Sequence, residues 1–196
     1  MIRVLAALTV FAAATTIANA QCFEANFGTL MPRAAAPTTP GVGDDVLFDL
    51  QPLNFTFPMP AGGIASSFTH AHVGSNGVIF LTNGLASGAT TTGYSTLATT
   101  MVTNLRGTAG QPPRIAAYWR DLNMLAANSG GVWFNNTIPG KFVVTWANAV
   151  HYAQTTPVFT VQAQLFASGE VRFFYSSSTQ NTATCPVVGV SVGKIG

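Results

Sequence analysis

The chain has 196 residues and a formal net charge of +2, and only 7% of its residues are charged against 48% that are hydrophobic. Its eight basic side chains form no cluster, so it lacks the electrostatic footprint of a nucleic-acid-binding protein. Beyond the N-terminal leader there is no second long apolar segment, and we therefore expect no membrane insertion of the mature chain.

The first twenty residues have the features of a secretory signal peptide. An apolar stretch runs from Val4 to Ala14 after the single charge at Arg3, and Ala18-Asn19-Ala20 has the small-x-small pattern that signal peptidase cleaves. The sequence therefore predicts a signal peptide over residues 1–20, and secretion to the extracellular space or the cell surface.

The mature chain is expected to contain one domain behind a short leader segment. Residues 21–43 lack periodicity and contain three prolines, so we expect a partly ordered N-terminal segment that packs through Phe23 and Phe27. Residues 44–196 are about the length of an ordinary single domain.

The first elements of that domain are short. Val46–Asp49 and Leu53–Phe57 are predicted to be strands, and Pro58 and Pro60 are expected to end the pattern.

A hairpin follows these strands. Phe68–Val73 alternates as a strand does, and Val78–Thr82 is the returning strand. Asn76 and Gly77 lie between them, where they supply the positive φ that a tight hairpin turn needs.

The rest of the chain consists of one long loop and six apolar runs. Asn83–Pro113 is rich in Thr, Gly and Ala. Turn residues separate the runs, which are Arg114–Trp119, Gly131–Asn135, Phe142–Ala147, Val158–Phe166, Val171–Tyr175 and Val187–Val192. The pattern predicts an all-β fold, an antiparallel two-sheet β-sandwich of about ten short strands with one long Thr/Gly/Ala-rich loop.

Two cysteines remain in the mature chain. An even number in an exported protein predicts a disulfide, here between Cys22 and Cys185, which ties the N-terminal segment to the last strand. The alternative is two free thiols.

Three segments together resemble a known family. They are Val73–Phe80 with V-G-S-N-G, Pro113–Leu122 with R-I-A-A-Y-W-R-D-L, and Lys141–Val150 with F-V-V-T-W-A-N-A-V. This order is similar to that of the nidogen-like extracellular β domain of bacterial exported proteins, over about Val46–Val192. The resemblance implies a role in matrix, adhesion or cell-surface assembly, with no established enzymatic activity.

Two histidines, His70 and His72, fall on one face of a predicted strand. Together with His151 or Asp121 they would be suitable zinc ligands. No motif positions a third ligand, so we favour polar residues on a solvent-facing surface.

Three acidic residues, Asp44, Asp45 and Asp49, are close in sequence and offer oxygen atoms of the kind that Ca²⁺ prefers. They lack the D-x-D-x-D-G spacing of a calcium loop, so structural turn residues are favoured. We therefore predict no metal and no cofactor.

No catalytic constellation is evident either. A glycosidase needs two carboxylates across its substrate, and no pair is marked here. We therefore expect no enzymatic activity.

The three tryptophans are assigned different roles. Trp119 and Trp146 lie in strand-period runs and are expected in the core, with Ile115 and Ala117 on the same face as Trp119. Trp133 lies between Gly131 and Phe134 and is the candidate ligand platform.

Two functional hypotheses remain open. The leading one is a non-catalytic exported module for adhesion, matrix or cell-surface interaction. The alternative is a carbohydrate-binding β-sandwich whose site is formed by Trp133 and the Asn83–Gln111 loop. The expected partner is accordingly an extracellular protein or a glycan.

Overall fold

The computed structural model describes residues 23–34, 39–61, 64–84, 105, 112–157, 159–176 and 186–192. The predicted signal peptide, both cysteines and most of the long Thr/Gly/Ala-rich loop lie outside these residues. Within these ranges, no helix has the length and apolar character needed to cross a lipid bilayer.

The described residues form ten strands. In chain order they are β1 (Thr29–Leu30), β2 (Gln51–Ala61), β3 (Ile64–Gly74), β4 (Val78–Thr82), β5 (Arg114–Trp119), β6 (Val132–Asn135), β7 (Lys141–Ala149), β8 (Phe159–Phe166), β9 (Val171–Tyr175) and β10 (Val187–Ser191). The first sheet has the order β1-β6-β7-β8-β9, the second has the order β10-β5-β4-β3-β2, and every pairing is antiparallel. The predicted all-β sandwich is confirmed.

The core lies between the two sheets and is apolar. From the first sheet, β7 contributes Phe142, Val144 and Trp146, which share one face because side chains alternate along a strand. The opposite sheet contributes Ile79 and Leu81 of β4. Trp146 is completely buried, as the alternation in the sequence predicts.

Trp119 is also buried, but on the other face of its sheet. The amides of Ala117 and Tyr118 both donate to the carbonyl oxygen of Gly77, at 2.9 and 3.2 Å, so β5 contains a β-bulge. The extra residue reverses the alternation: Ile115 and Ala117 face the core between the sheets, whereas Trp119 packs against Phe80 in a second apolar cluster. The predicted same-face neighbours of Trp119 are therefore wrong.

The first two predicted strands differ from what is observed. Val46–Asp49 is not a strand, and only Leu47 makes an isolated bridge to Gly74. In contrast, β2 is longer than predicted and continues through Pro58 and Pro60. Because β2 is an edge strand, it can accommodate residues that lack an N–H to donate, and proline does not end it.

The N-terminal segment is bound to the outer face of the first sheet. We call residues 23–30 the N-terminal strap. Phe23 packs on Phe174 of β9 at 6.1 Å between ring centroids, and Phe27 packs on Trp133 of β6 at 6.5 Å, so both residues make the packing contacts expected of them.

Polar contacts fasten the same strap. Glu24 accepts a hydrogen bond from Lys141 Nζ at 2.6 Å, and its backbone N–H donates to Gln162 Oε1 at 2.7 Å. The side-chain amide of Gln162 donates in turn to the Glu24 carbonyl oxygen at 3.1 Å and to Thr145 Oγ1 at 2.9 Å. Gln162 is fully buried, and these partners satisfy it there.

Candidate functional site

The turn between β3 and β4 organises one end of the sandwich. Its three residues are 75–77, and only Gly77 adopts a positive φ, of 78°. Asn76 is fully buried and uses its side chain as an anchor. Its Nδ2 donates to Asp45 Oδ1 at 2.7 Å, and its Oδ1 accepts from the Leu122 amide at 2.8 Å. Asn76 thereby joins the segment before β2 to the segment after β5.

This anchor brings three carboxylates together. Side-chain oxygens of Asp44, Asp45 and Asp121 lie within 4.8 Å of one another. Burial and the neighbouring charge of Asp45 raise the pKa of Asp44. Asp44 Oδ1 is enclosed and has no hydrogen-bond partner among the described residues. The group therefore concentrates negative charge at the loop end of the sandwich.

The composition of this group differs from the sequence-based candidate. Asp49 does not join Asp44 and Asp45, since its Oδ1 accepts the Ala34 amide at 3.0 Å and fastens the N-terminal segment instead. Asp121 takes the place of Asp49 in the group. No local sequence pattern marks Asp121, because the side chain of Asn76 connects its segment to that of Asp44 and Asp45. Three carboxylates fall short of the six to eight oxygens that Ca²⁺ takes, and we treat the group as an electrostatic feature.

The histidines do not converge. His70 and His72 lie opposite Thr82 and Phe80 on β4, and burial lowers the pKa of His72. His151 lies elsewhere, against the rings of Tyr118 and Phe159. In the part of the chain that the structure describes, no group of three potential metal ligands includes a histidine.

Trp133 lies on the outer face of the first sheet, beneath the N-terminal strap. It is half-buried, and its indole N–H donates to the Gly130 carbonyl oxygen at 2.7 Å. Its ring and that of Phe27 meet in a T-shaped arrangement. The candidate platform thus presents a partly covered ring whose polar atom already has a partner.

The four edge strands of the sandwich differ in how they are protected. Edge strands commonly avoid pairing with other chains by being short or by carrying proline or charge. Of the three protected edges, β1 has two residues, β2 carries Pro52, Pro58 and Pro60, and β9 carries Arg172, which forms a salt bridge with Glu170 at 2.7 Å.

The fourth edge, β10, has none of these features. Its sequence is Val-Val-Gly-Val-Ser, without charge or proline. Val188, Val190 and the following Val192 are 47%, 48% and 39% exposed, and they alternate along the strand. Alternate residues of a strand share a face, so these three valines form an apolar row at the open edge of the second sheet.

Comparison with known proteins gave one match. A family model described as "NIDO related" matches residues 21–194 of the 196-residue chain. No curated protein and no solved structure matches the chain.

Proposed function

Since the chain belongs to the NIDO-related family, a nidogen-related domain that is usually extracellular, we propose that it is a non-catalytic exported module that binds other macromolecules in the extracellular matrix or at the cell surface. The observation that carries this proposal is the edge of β10, which within the described residues has no further neighbouring strand and carries no proline or charge. Surface valines in a row are costly to leave in water, and exposed apolar patches commonly mark binding surfaces.

The partner that fits this edge is an extended segment of another protein. A strand added beside β10 would continue the antiparallel order of the second sheet, with backbone hydrogen bonds supplying affinity. An uncharged segment with small apolar residues on alternate positions would cover Val188 and Val190. The β1, β2 and β9 edges carry features that oppose strand pairing. The fold would therefore restrict strand addition to β10.

The experiment measures binding of the purified mature chain to immobilised extracellular-matrix proteins. We expect saturable binding that Val190→Lys weakens at least about tenfold, because the substitution places a charge in the apolar row. Thr56→Lys is the matched control, since it adds the same charge to an exposed position on β2, at the opposite edge of the same sheet.

Three results would count against the proposal. They are equal binding by both lysine variants, loss of binding only in the β2 variant, and the absence of saturable binding by the parent chain. Melting temperatures of the two variants are compared first, so that a folding defect is not read as a binding defect.

The second candidate function is carbohydrate binding at Trp133, and the ring that remains partly exposed beside the N-terminal strap favours it. A glycan array tests this candidate. Reproducible binding that is lost in Trp133→Ala and retained in Trp133→Phe, with the fold intact in both, would favour the carbohydrate hypothesis over protein binding at β10.

A further inference from the structure

His151 is an ionisable residue enclosed in an aromatic setting. Its side chain is 3% exposed. The ring of Tyr118 is nearly parallel to it at 6.1 Å, and the ring of Phe159 meets it edge-on at 5.6 Å. Nε2 lies 3.3 Å from the Tyr118 hydroxyl, whereas the buried Nδ1 has no partner among the described residues.

The groups around this imidazole favour its neutral form. Tyr118 faces it from β5, and Tyr175 of β9 contacts the Tyr118 ring and donates to the Ala117 carbonyl oxygen. Burial, reinforced by the positive charge of Arg120, lowers the pKa of His151 to about 4. The backbone of Asp121 lies beside this segment, since its carbonyl oxygen accepts the Tyr152 amide, but its carboxylate groups with those of Asp44 and Asp45.

The backbone around His151 joins two connections of the fold. The segment after β5 and the segment after β7 meet in an isolated bridge between Leu122 and His151. Beside it, the Asn123 amide donates to the Val150 carbonyl oxygen at 2.8 Å, and the Tyr152 amide donates to the Asp121 carbonyl oxygen at 3.1 Å. We call these contacts the loop junction.

We propose that His151 is an acid-sensitive latch, and that protonation of its imidazole opens the loop junction. An imidazolium has two N–H donors, and within the described structure Nδ1 would find no acceptor while Arg120 would repel the new charge. Separating the two connections would hydrate the ring and expose Tyr118 and Phe159. We expect the strands of the two sheets to stay paired, because the bridge between Leu122 and His151 lies outside them.

The sign of the effect follows from the two protonation states. The open form has the ordinary histidine pKa of 6.5 and the closed form has a pKa of about 4, so the open form binds protons more readily. Closure is therefore fully favoured above pH 6.5 and weakens as the pH falls towards 4. Linkage predicts that the opening equilibrium rises on the order of 20-fold at pH 5 and 100-fold at pH 4, relative to pH 7.

Amide hydrogen exchange of the full mature chain tests this proposal. After correction for the intrinsic exchange rate at each pH, the Asn123 and Tyr152 amides should lose protection between pH 6.5 and pH 4. The Val144 amide in β7 should keep its protection. In His151→Phe, which retains an aromatic ring and cannot be protonated, the two reporter amides should become independent of pH.

Asp44→Asn is the control for carboxylate titration in the same pH range, and it should respond as the parent chain does. Because a folding defect in His151→Phe would obscure this comparison, the imidazole of the parent chain is also titrated by NMR, and its resonance should shift below pH 5. Equal loss of protection in His151→Phe, or an imidazole that titrates near 6.5, would overturn the proposal. Neither outcome bears on binding at β10.

Discussion

The indole N–H of Trp146 in the first sheet donates to the carbonyl oxygen of Gly74 in the second, 3.0 Å away across the core. Both residues are buried, and the bond crosses from one layer of the sandwich to the other. The position of this tryptophan is therefore set by a polar contact as well as by packing, which distinguishes it from Trp119.

We expect the two tryptophans to respond differently to replacement by phenylalanine. Truncation of either to Ala should cost about 3–5 kcal/mol of unfolding free energy, because each is buried. Trp146→Phe should cost about 1–3 kcal/mol more than Trp119→Phe, since it removes the donor to Gly74, whereas the indole N–H of Trp119 has no partner among the described residues. Urea unfolding measures all four variants. Alanine variants whose unfolding free energy stays near that of the parent would show that these tryptophans are not buried.

Asp45→Asn should stabilise the protein at neutral pH. The variant retains an oxygen that accepts from Asn76 and removes the charge that helps to raise the pKa of Asp44. After solvent screening, we expect a gain of about 0.5 kcal/mol. Because the pKa of Asp44 is raised in the folded state, its ionisation disfavours folding. The stability gained by removing the Asp45 charge should therefore be present at pH 7 and disappear near pH 3, where the carboxylates are protonated. A gain of the same size at both pH values would instead reflect the backbone at Asp45, whose φ is 50°.

Gly77→Ala should be strongly destabilising. A Cβ there would overlap the Tyr118 carbonyl oxygen, and the positive φ of Gly77 adds strain for any L side chain. We expect a loss of at least about 2 kcal/mol, measured by thermal or urea unfolding. Gly140→Ala is the control, because it also has a positive φ but faces only ordinary contact with Ala167. If both variants lost similar amounts of stability, the positive φ alone would explain the effect.

The mature protein should begin at Gln21, because Ala18-Asn19-Ala20 follows the apolar run of a signal peptide. N-terminal sequencing or intact mass of secreted material measures the start. Recovery of the full-length chain from the cytosol alone would contradict the prediction.

Cys22 and Cys185 should be linked in oxidising surroundings, since they are the two cysteines of the chain. The chain-entropy contribution of so long a loop is at most about 5 kcal/mol. Non-reducing peptide mapping should recover the two cysteines in one cross-linked fragment. Quantitative labelling of both thiols in the native, unreduced protein would exclude the bridge.

Local periodicity was sufficient to predict the strands of the C-terminal half. The alternation of Phe142, Val144 and Trp146 correctly predicts which face of β7 enters the core. It failed at Trp119, because the bulge in β5 depends on Gly77 in the turn between β3 and β4, about forty residues earlier.

The remaining differences also have tertiary causes. Proline can remain within β2 only because that strand is at an edge, and edge position depends on the order of the whole sheet. Asp121 joins Asp44 only because the buried Asn76 holds their two segments together. The lack of proline and charge in β10 likewise becomes informative only when this strand is known to be one of the four edges.

The N-terminal strap has a consequence for the order of events during synthesis. Its contacts reach far along the chain: Glu24 binds Lys141 and Gln162, which are 117 and 138 residues later. These partners leave the ribosome long after the strap does. The strap therefore cannot complete its docking on this sheet until the chain has been synthesised at least as far as Gln162.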